Sequence, residues 1–254
     1  MISLENQVAV VTGGSRGIGA ATVELFAAAG AHVIFSYYRQ RHAAERVAQQ
    51  ARRHGTEVIP VRADLARMAD AQRLIQTAQQ RFRRLDILVA GAGIWNVEDI
   101  PIEQLSERQW DEMLTVNLKS VYSVVHYAVP IFKRQRRGRI ITISSTAGQR
   151  GEAFHDHYAA SKGAIISFVK GLSTELAAYN ILVNCVAPGW VDTDMARPAL
   201  RTAAQRRKVL SQIPLGRVAR PEEIAGPILF LASELATFMT GEIVNVNGGA
   251  VLVG

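Results

Sequence analysis

Seven short runs rich in β-branched and aliphatic residues recur along the chain, and between successive runs lies a stretch long enough to form a helix. The runs are QVAVVT, HVIFS, EVIPV, DILVA, RIITIS, ILVNCVAP and EIVNVNGG. Helical patterns fall near residues 17–29, 40–54, 67–83, 103–134, 156–179 and 221–233, with a polar excursion near 192–214. A strand that reaches its neighbour only through about a dozen residues or more must pair in parallel, and right-handed crossovers then put helices on both sheet faces. The pattern predicts an α/β fold with a doubly wound seven-stranded parallel sheet. No proline-rich, glycine/serine-rich or charge-block linker interrupts it, so residues 1–254 read as a single domain. The excursion near 192–214 reads as a small lobe over the site.

Charge and composition exclude several function classes. The formal charge is +7, but the basic residues are scattered over helical stretches without interleaved aromatics, a solvated-face pattern and not a nucleic-acid surface. No apolar stretch reaches the roughly 18 residues that span a bilayer. The N-terminus reads as a first strand and not as a signal peptide. One cysteine, Cys185, forbids a disulfide within the chain, which suits a reducing, cytoplasmic setting.

Directly after the first strand comes Thr12-Gly13-Gly14-Ser15-Arg16-Gly17-Ile18-Gly19, opening the first helix. Glycines there permit a tight turn and close backbone approach, and the free N–H groups of a helix start attract phosphate. A strand, a glycine turn and a helix in that order mark a dinucleotide-binding Rossmann fold. At the end of the second strand, an acidic residue would bind the 2′-hydroxyl of NAD; here stand Ser36-Tyr37-Tyr38-Arg39. With Arg16 and Arg39 beside the expected 2′-phosphate, NADP (NADPH) is the preferred cofactor and NAD remains possible.

Tyr158 and Lys162 are one helical turn apart, thirteen and seventeen positions after Ser145 at a strand end. A free phenol titrates near 10, and a nearby ammonium favours its ionised form, so the pair suits proton transfer. His155-Asp156-His157 does not form a converging metal set, and no metal is expected.

These motifs, in this order, resemble the short-chain dehydrogenase/reductase family over essentially the full length, with Asp64, Asn117 and Pro188-Gly189 completing the series. The nearest likeness, through TGGSRGIG, YAASKG, NCVAPGWVDTDM and VNGG, is to 3-oxoacyl-(acyl-carrier-protein) reductases. The resemblance implies a catalytic set of Asn117, Ser145, Tyr158 and Lys162. Tyr158 would give a proton to a carbonyl oxygen as hydride arrives from NADPH, with Ser145 holding that oxygen; the neighbouring Ser144 is the alternative. Lys162 would also bind the nicotinamide ribose, and Asn117 a water that resupplies protons. Cofactor contacts would come from Gly13, Ser15, Arg16, Gly17, Ile18, Gly19, Arg39, Asp64, Leu65, Ala90, Gly91, Ala92, Tyr158, Lys162, Pro188, Gly189, Val191 and Thr193. The alternative for Asp64 is a cap of the following helix. Where the family commonly has two asparagines before Ala-Gly, this chain has Ala90-Gly91, which removes side chains that would brace the sheet.

Substrate contacts implied by family position are Ile94, Trp95, Phe154 and Trp190 with Ser145 and Tyr158, although the two tryptophans suit core packing equally. The implied reaction is reduction of a 3-oxoacyl thioester, and an acyl carrier protein bearing it would meet Lys133 to Arg137. The alternative is NAD(P)-linked oxidation of a sugar, polyol or other secondary alcohol, and a distant one a catalytically silent nucleotide-sensing scaffold. Family members are usually homotetramers.

Overall fold

Strand β1 (Val8–Val11) is buried throughout, and its alternate side chains feed two separate cores. Ala9 and Val11 pack with Val23, Phe26, Ile224 and Ile228 on one side of the sheet. Val8 and Val10 pack with Leu74, Ile75, Val124 and Phe132 on the other. Such two-sided burial is what near-continuous hydrophobic strands require. The computed structural model describes residues 2–253, and Met1 and Gly254 lie outside the described residues.

After β1 come α1 (Gly17–Ala28), β2 (His32–Tyr37), α2 (Arg41–Ala51), β3 (Val58–Arg62), α3 (Met68–Phe82) and β4 (Ile87–Ala90). Then follow α4 (Glu107–Leu114), α5 (Ser120–Gln135), β5 (Gly138–Ile143), α6 (Thr146–Arg150) and α7 (Asp156–Leu176). The chain ends with β6 (Ile181–Pro188), α8 (Ala203–Leu210), α9 (Pro221–Ala232) and β7 (Ile243–Val246). All pairings are parallel, in the order β3-β2-β1-β4-β5-β6-β7, as the alternation in the sequence predicts. Winding reverses between β1 and β4, and the crevice at that switch is where this architecture takes ligands.

The long helical region expected near 103–134 is more articulated than its sequence pattern. It begins at α4, where Ser106 and Gln109 form a capping box, and is broken by a π-helical turn over Thr115–Lys119 before α5. One extra residue per turn there alters which side chains face inward, and Asn117 ends fully buried. Residues 192–214 carry a 3₁₀ turn at Arg197–Leu200 and the mostly exposed α8. No helix among the described residues is long and apolar enough to cross a membrane.

Candidate active site

The glycine turn between β1 and α1 is held by its neighbours' hydrogen bonds. Gly13 N donates to Ser36 Oγ at 3.1 Å, and Gly14 N to the Ser36 carbonyl at 2.9 Å. Gly13 has φ +73°, a left-handed conformation costly for other residues. A Cβ on Gly19 would sit 2.2 Å from the Gly13 oxygen, so the turn closes this tightly only without one. Arg16 caps α1 in extended conformation, leaving the first N–H groups of a twelve-residue helix without intrahelical acceptors. Ser36 has a bracing role that the sequence offered only as the absence of an acid.

Opposite the turn, Thr12 Oγ1 accepts from both Gly91 N and Ala92 N at 2.9 Å. One hydroxyl thereby ties β1 to the end of β4, at the place where side-chain braces seemed to be missing. On the β6 side, Gly189 N donates to Val246 O at 3.1 Å, and Val191 forms an isolated bridge with Ala219. Thr193 stands against Gly17, and Arg16 lies 3.8 Å from Asp194, so the 192–214 segment abuts the glycine turn. Arg39, exposed just before α2, lies over the Tyr38 ring at 5.1 Å. Asp64 Oδ1 accepts from Ala66 N at 3.2 Å, a local turn before α3, and Leu65 is buried.

Tyr158 and Lys162 rise from the first turns of α7 into a cleft also lined by Ser145, Ile18, Gly91, Pro188 and Gly189. Helix α6 presses against α7: a Cβ on Gly148 would sit 2.5 Å from the Lys162 carbonyl carbon. That contact sets Ser145, the cap of α6, beside Tyr158. Ser144 points elsewhere, its hydroxyl donating to the Lys162 carbonyl at 2.8 Å. Asn117 Oδ1 accepts from Ile94 N at 2.7 Å, while Nδ2 donates to Ile94 O and Ser161 Oγ at 3.0 and 3.1 Å. The π-helical turn is thereby locked to the segment that follows β4 and to α7.

The electrostatics differ from the sequence expectation of a phenol held acidic by its lysine. Burial pushes the Tyr158 phenol up to about 12, opposed by the Ser145 hydroxyl and reinforced by the Glu152 carboxylate. Burial also brings the Lys162 ammonium down to about 8. Lys162 Nζ donates to Ile143 O at 2.9 Å and stands 5.8 Å from the Tyr158 ring centre. Desolvation therefore sets the direction for both groups, and the phenol keeps its proton at neutral pH.

The outer cleft is aromatic on one side. Trp95 stacks on the buried His155 with ring centres 5.1 Å apart and meets Trp190 edge-on at 5.8 Å. Ile94, Met195, Arg150 and Glu152 complete it. Phe154 does not belong there: its φ of +65° turns the half-exposed side chain out to solvent, a correction to its expected substrate contact. Positive φ in a phenylalanine has no sequence signature. Among the described residues, no group of three or more His, Cys, Asp or Glu is placed to hold a metal ion.

A family model described as enoyl-(acyl carrier protein) reductase matches residues 13–251. The 3-oxoacyl-[acyl-carrier-protein] reductase of Synechocystis sp. is 38% identical over 253 residues, covering 99% of this chain and 100% of that protein. The 3-oxoacyl-[acyl-carrier-protein] reductase FabG of Thermotoga maritima is 37% identical over 98% of this chain and 99% of its own. Among solved structures, a short-chain dehydrogenase/reductase of the glucose/ribitol dehydrogenase type from Brucella melitensis superposes with TM-score 0.90 at 33% identity, covering 99% of both chains. The structure of gox2181 gives 0.93 at 32% identity, covering 98% of this chain and 96% of that one.

Proposed function

Since the chain belongs to the short-chain dehydrogenase/reductase family, we propose that it is an NADPH-dependent reductase of 3-oxoacyl thioesters, in which Tyr158 donates the proton. The observation that carries this reading is that a protonated phenol, the Ser145 hydroxyl and the backbone at the β1/β4 switch share one cleft. The glycine turn fits a dinucleotide on its own geometry, since a Cβ on Gly19 would fill it and α1 turns free N–H groups toward it. When bound, the nicotinamide cofactor supplies the hydride, and the chain supplies position and the proton.

Ser145 holds the carbonyl oxygen, and its hydrogen bond strengthens as that oxygen gains negative charge. Tyr158 then delivers its proton to the same oxygen; at neutral pH it is in the protonated form that reduction needs. Lys162 holds the ribose and, with its ammonium brought down to about 8, is itself able to return a proton to the phenol. Asn117 keeps the Ile94 segment and α7 in register around them. Arg39 and Arg16 meet the 2′-phosphate, Asp64 and Leu65 border the adenine, and residues 192–214 act as a lobe of the same single domain over the bound pair.

The carrier arm of the substrate, on an acyl carrier protein, approaches at the carboxyl ends of the strands, where the cleft opens; the basic run Lys133 to Arg137 stands at the opposite sheet edge, where Arg136 donates to the Ala178 carbonyl just before β6, which corrects its expected place as the carrier contact. The exposed Leu235, Phe238 and Leu252 suit burial in a homotetramer, and the reaction suits the cytoplasm. A second reading, oxidation of a sugar or polyol, is favoured by the Glu152 carboxylate in the cleft. Steady-state turnover of an acetoacetyl thioester with NADPH, set against a panel of polyols with NADP, tests the choice. The first reading requires the thioester to give the higher kcat/KM.

A further inference from the structure

Beyond the reacting groups, the cleft contains one charged acceptor that the proposed chemistry does not use. The chain leaves α6 through Gly151, at φ +77°, and this turn brings Glu152 back to line the cleft with Tyr158, Ser145, Trp95 and Trp190. No hydrogen bond or ion pair within 4.0 Å reaches its carboxylate from any described residue. The group is half-buried, and burial raises its proton affinity. It is also close enough to the Tyr158 phenol to raise that group in turn. A partly desolvated carboxylate with free lone pairs is costly unless something donates to it. Its surroundings are rigid, because Trp95 is clamped between the buried His155 ring and the edge of Trp190.

We propose that Glu152 is the specificity-determining residue of the cleft and accepts a hydrogen bond from a neutral donor, a hydroxyl or an amide N–H, on the ketone substrate. The proposal rests on Tyr158 reducing a carbonyl in this cleft. The sign of the surrounding charge selects a neutral donor. An anionic substituent would be repelled by Glu152 itself, whereas a cationic one would share the cleft with Arg150 and Lys162. A site built to hydrogen-bond a substrate group rejects the analogue that lacks it, since a bound analogue would displace water from the half-buried acceptor without replacing its hydrogen bond.

Two matched pairs of ketones read this directly with the full chain and NADPH. The first is 2-hydroxyethyl against 2-methoxyethyl acetoacetate, which differ in an O–H. The second is acetoacetyl-N-acetylcysteamine against its N-methyl amide, which differ in an N–H. The donor-bearing member of one pair is expected to have about tenfold or greater kcat/KM, mainly through KM, and the pair that shows it identifies the donor. In Glu152→Ala the ratio should collapse to within twofold of one, and Glu152→Gln, which keeps an acceptor, should retain part of it. The wild-type ratio stands even where a variant does not fold. Ratios near one in both wild-type pairs, or a ratio unchanged in Glu152→Ala, would overturn the proposal while leaving carbonyl reduction intact. NADPH binding with reduction of none of the four ketones would instead overturn the reductase reading, and this proposal with it.

Discussion

Lys162 Nζ gives its hydrogen bond to the main-chain oxygen of Ile143 and stands 5.8 Å from the centre of the Tyr158 ring. Two groups one helical turn apart are thus both shifted against ionisation by the same buried setting, the phenol upward and the ammonium downward.

Their stability signatures are opposite. Below pH 8 the folded and unfolded chains both carry the Lys162 proton, and the buried charge exerts its full cost. Between about 8 and its ordinary 10.5 only the unfolded chain keeps that proton, so stability rises with pH. Between the ordinary 10.0 and about 12 the folded chain alone keeps the Tyr158 proton, and stability falls. Lys162→Met should therefore be more stable than wild type at pH 7, by about 2 kcal/mol once the lost bond to Ile143 is subtracted. Its thermal unfolding profile should lack the wild-type gain between pH 8 and 10. A variant less stable at pH 7, with that gain preserved, would contradict the desolvation argument.

The two adjacent serines should separate cleanly. Ser144→Ala loses a buried bond to the Lys162 carbonyl and should cost about 1 kcal/mol of stability with kcat within a few-fold of wild type. Ser145→Ala removes the donor to the developing oxyanion and the cap of α6, and should lower kcat by about 10²–10³ while also costing about 1 kcal/mol of stability, so that kcat is what separates the pair. Chemical denaturation and steady-state kinetics on both variants check the pair.

Asn117→Ala should behave as a structural lesion felt in catalysis. It strands the Ile94 N–H, which now donates to Asn117 at 2.7 Å, and frees α7 from the π-helical turn. An unsatisfied buried amide costs about 1–3 kcal/mol, which lowers the melting temperature by several degrees in a chain of this size. Hydrogen exchange at Ile94 should accelerate with it.

Arg39→Ala should weaken NADPH and spare NADH. A charge-assisted contact to the 2′-phosphate is worth roughly 1.5–3 kcal/mol, so KM for NADPH should rise about 10- to 100-fold. Equal loss with both cofactors would show that Arg39, which lies over Tyr38, only shapes the turn before α2.

The fold was legible because periodicity and spacing report the pairing directly: the seven apolar runs became the seven strands, in parallel, with the switch after the first strand where the glycine turn stands. The Ser145, Tyr158 and Lys162 spacing was legible for a similar reason, since a strand end and one helical turn have fixed geometry. What could not be read depends on long-range contacts. Nothing local in the sequence says that Lys162 bonds to Ile143, that Thr12 holds Gly91 and Ala92, or that Ser36 carries the glycine turn. The π-helical turn at Asn117 and the outward φ of Phe154 are backbone departures that propensity does not encode. Glu152 carries no local signal of a role; only the turn at Gly151 brings it back to the cleft.

Single-turnover reduction of an acetoacetyl thioester by Tyr158→Phe, run beside NADPH binding followed by its fluorescence, tests the proton donor most directly. The change deletes one hydroxyl from the cleft wall and leaves the glycine turn untouched. NADPH affinity within twofold of wild type and a chemical step slower by about 10²–10⁴ are predicted. A chemical step within tenfold of wild type would contradict the assignment of Tyr158 as the proton donor.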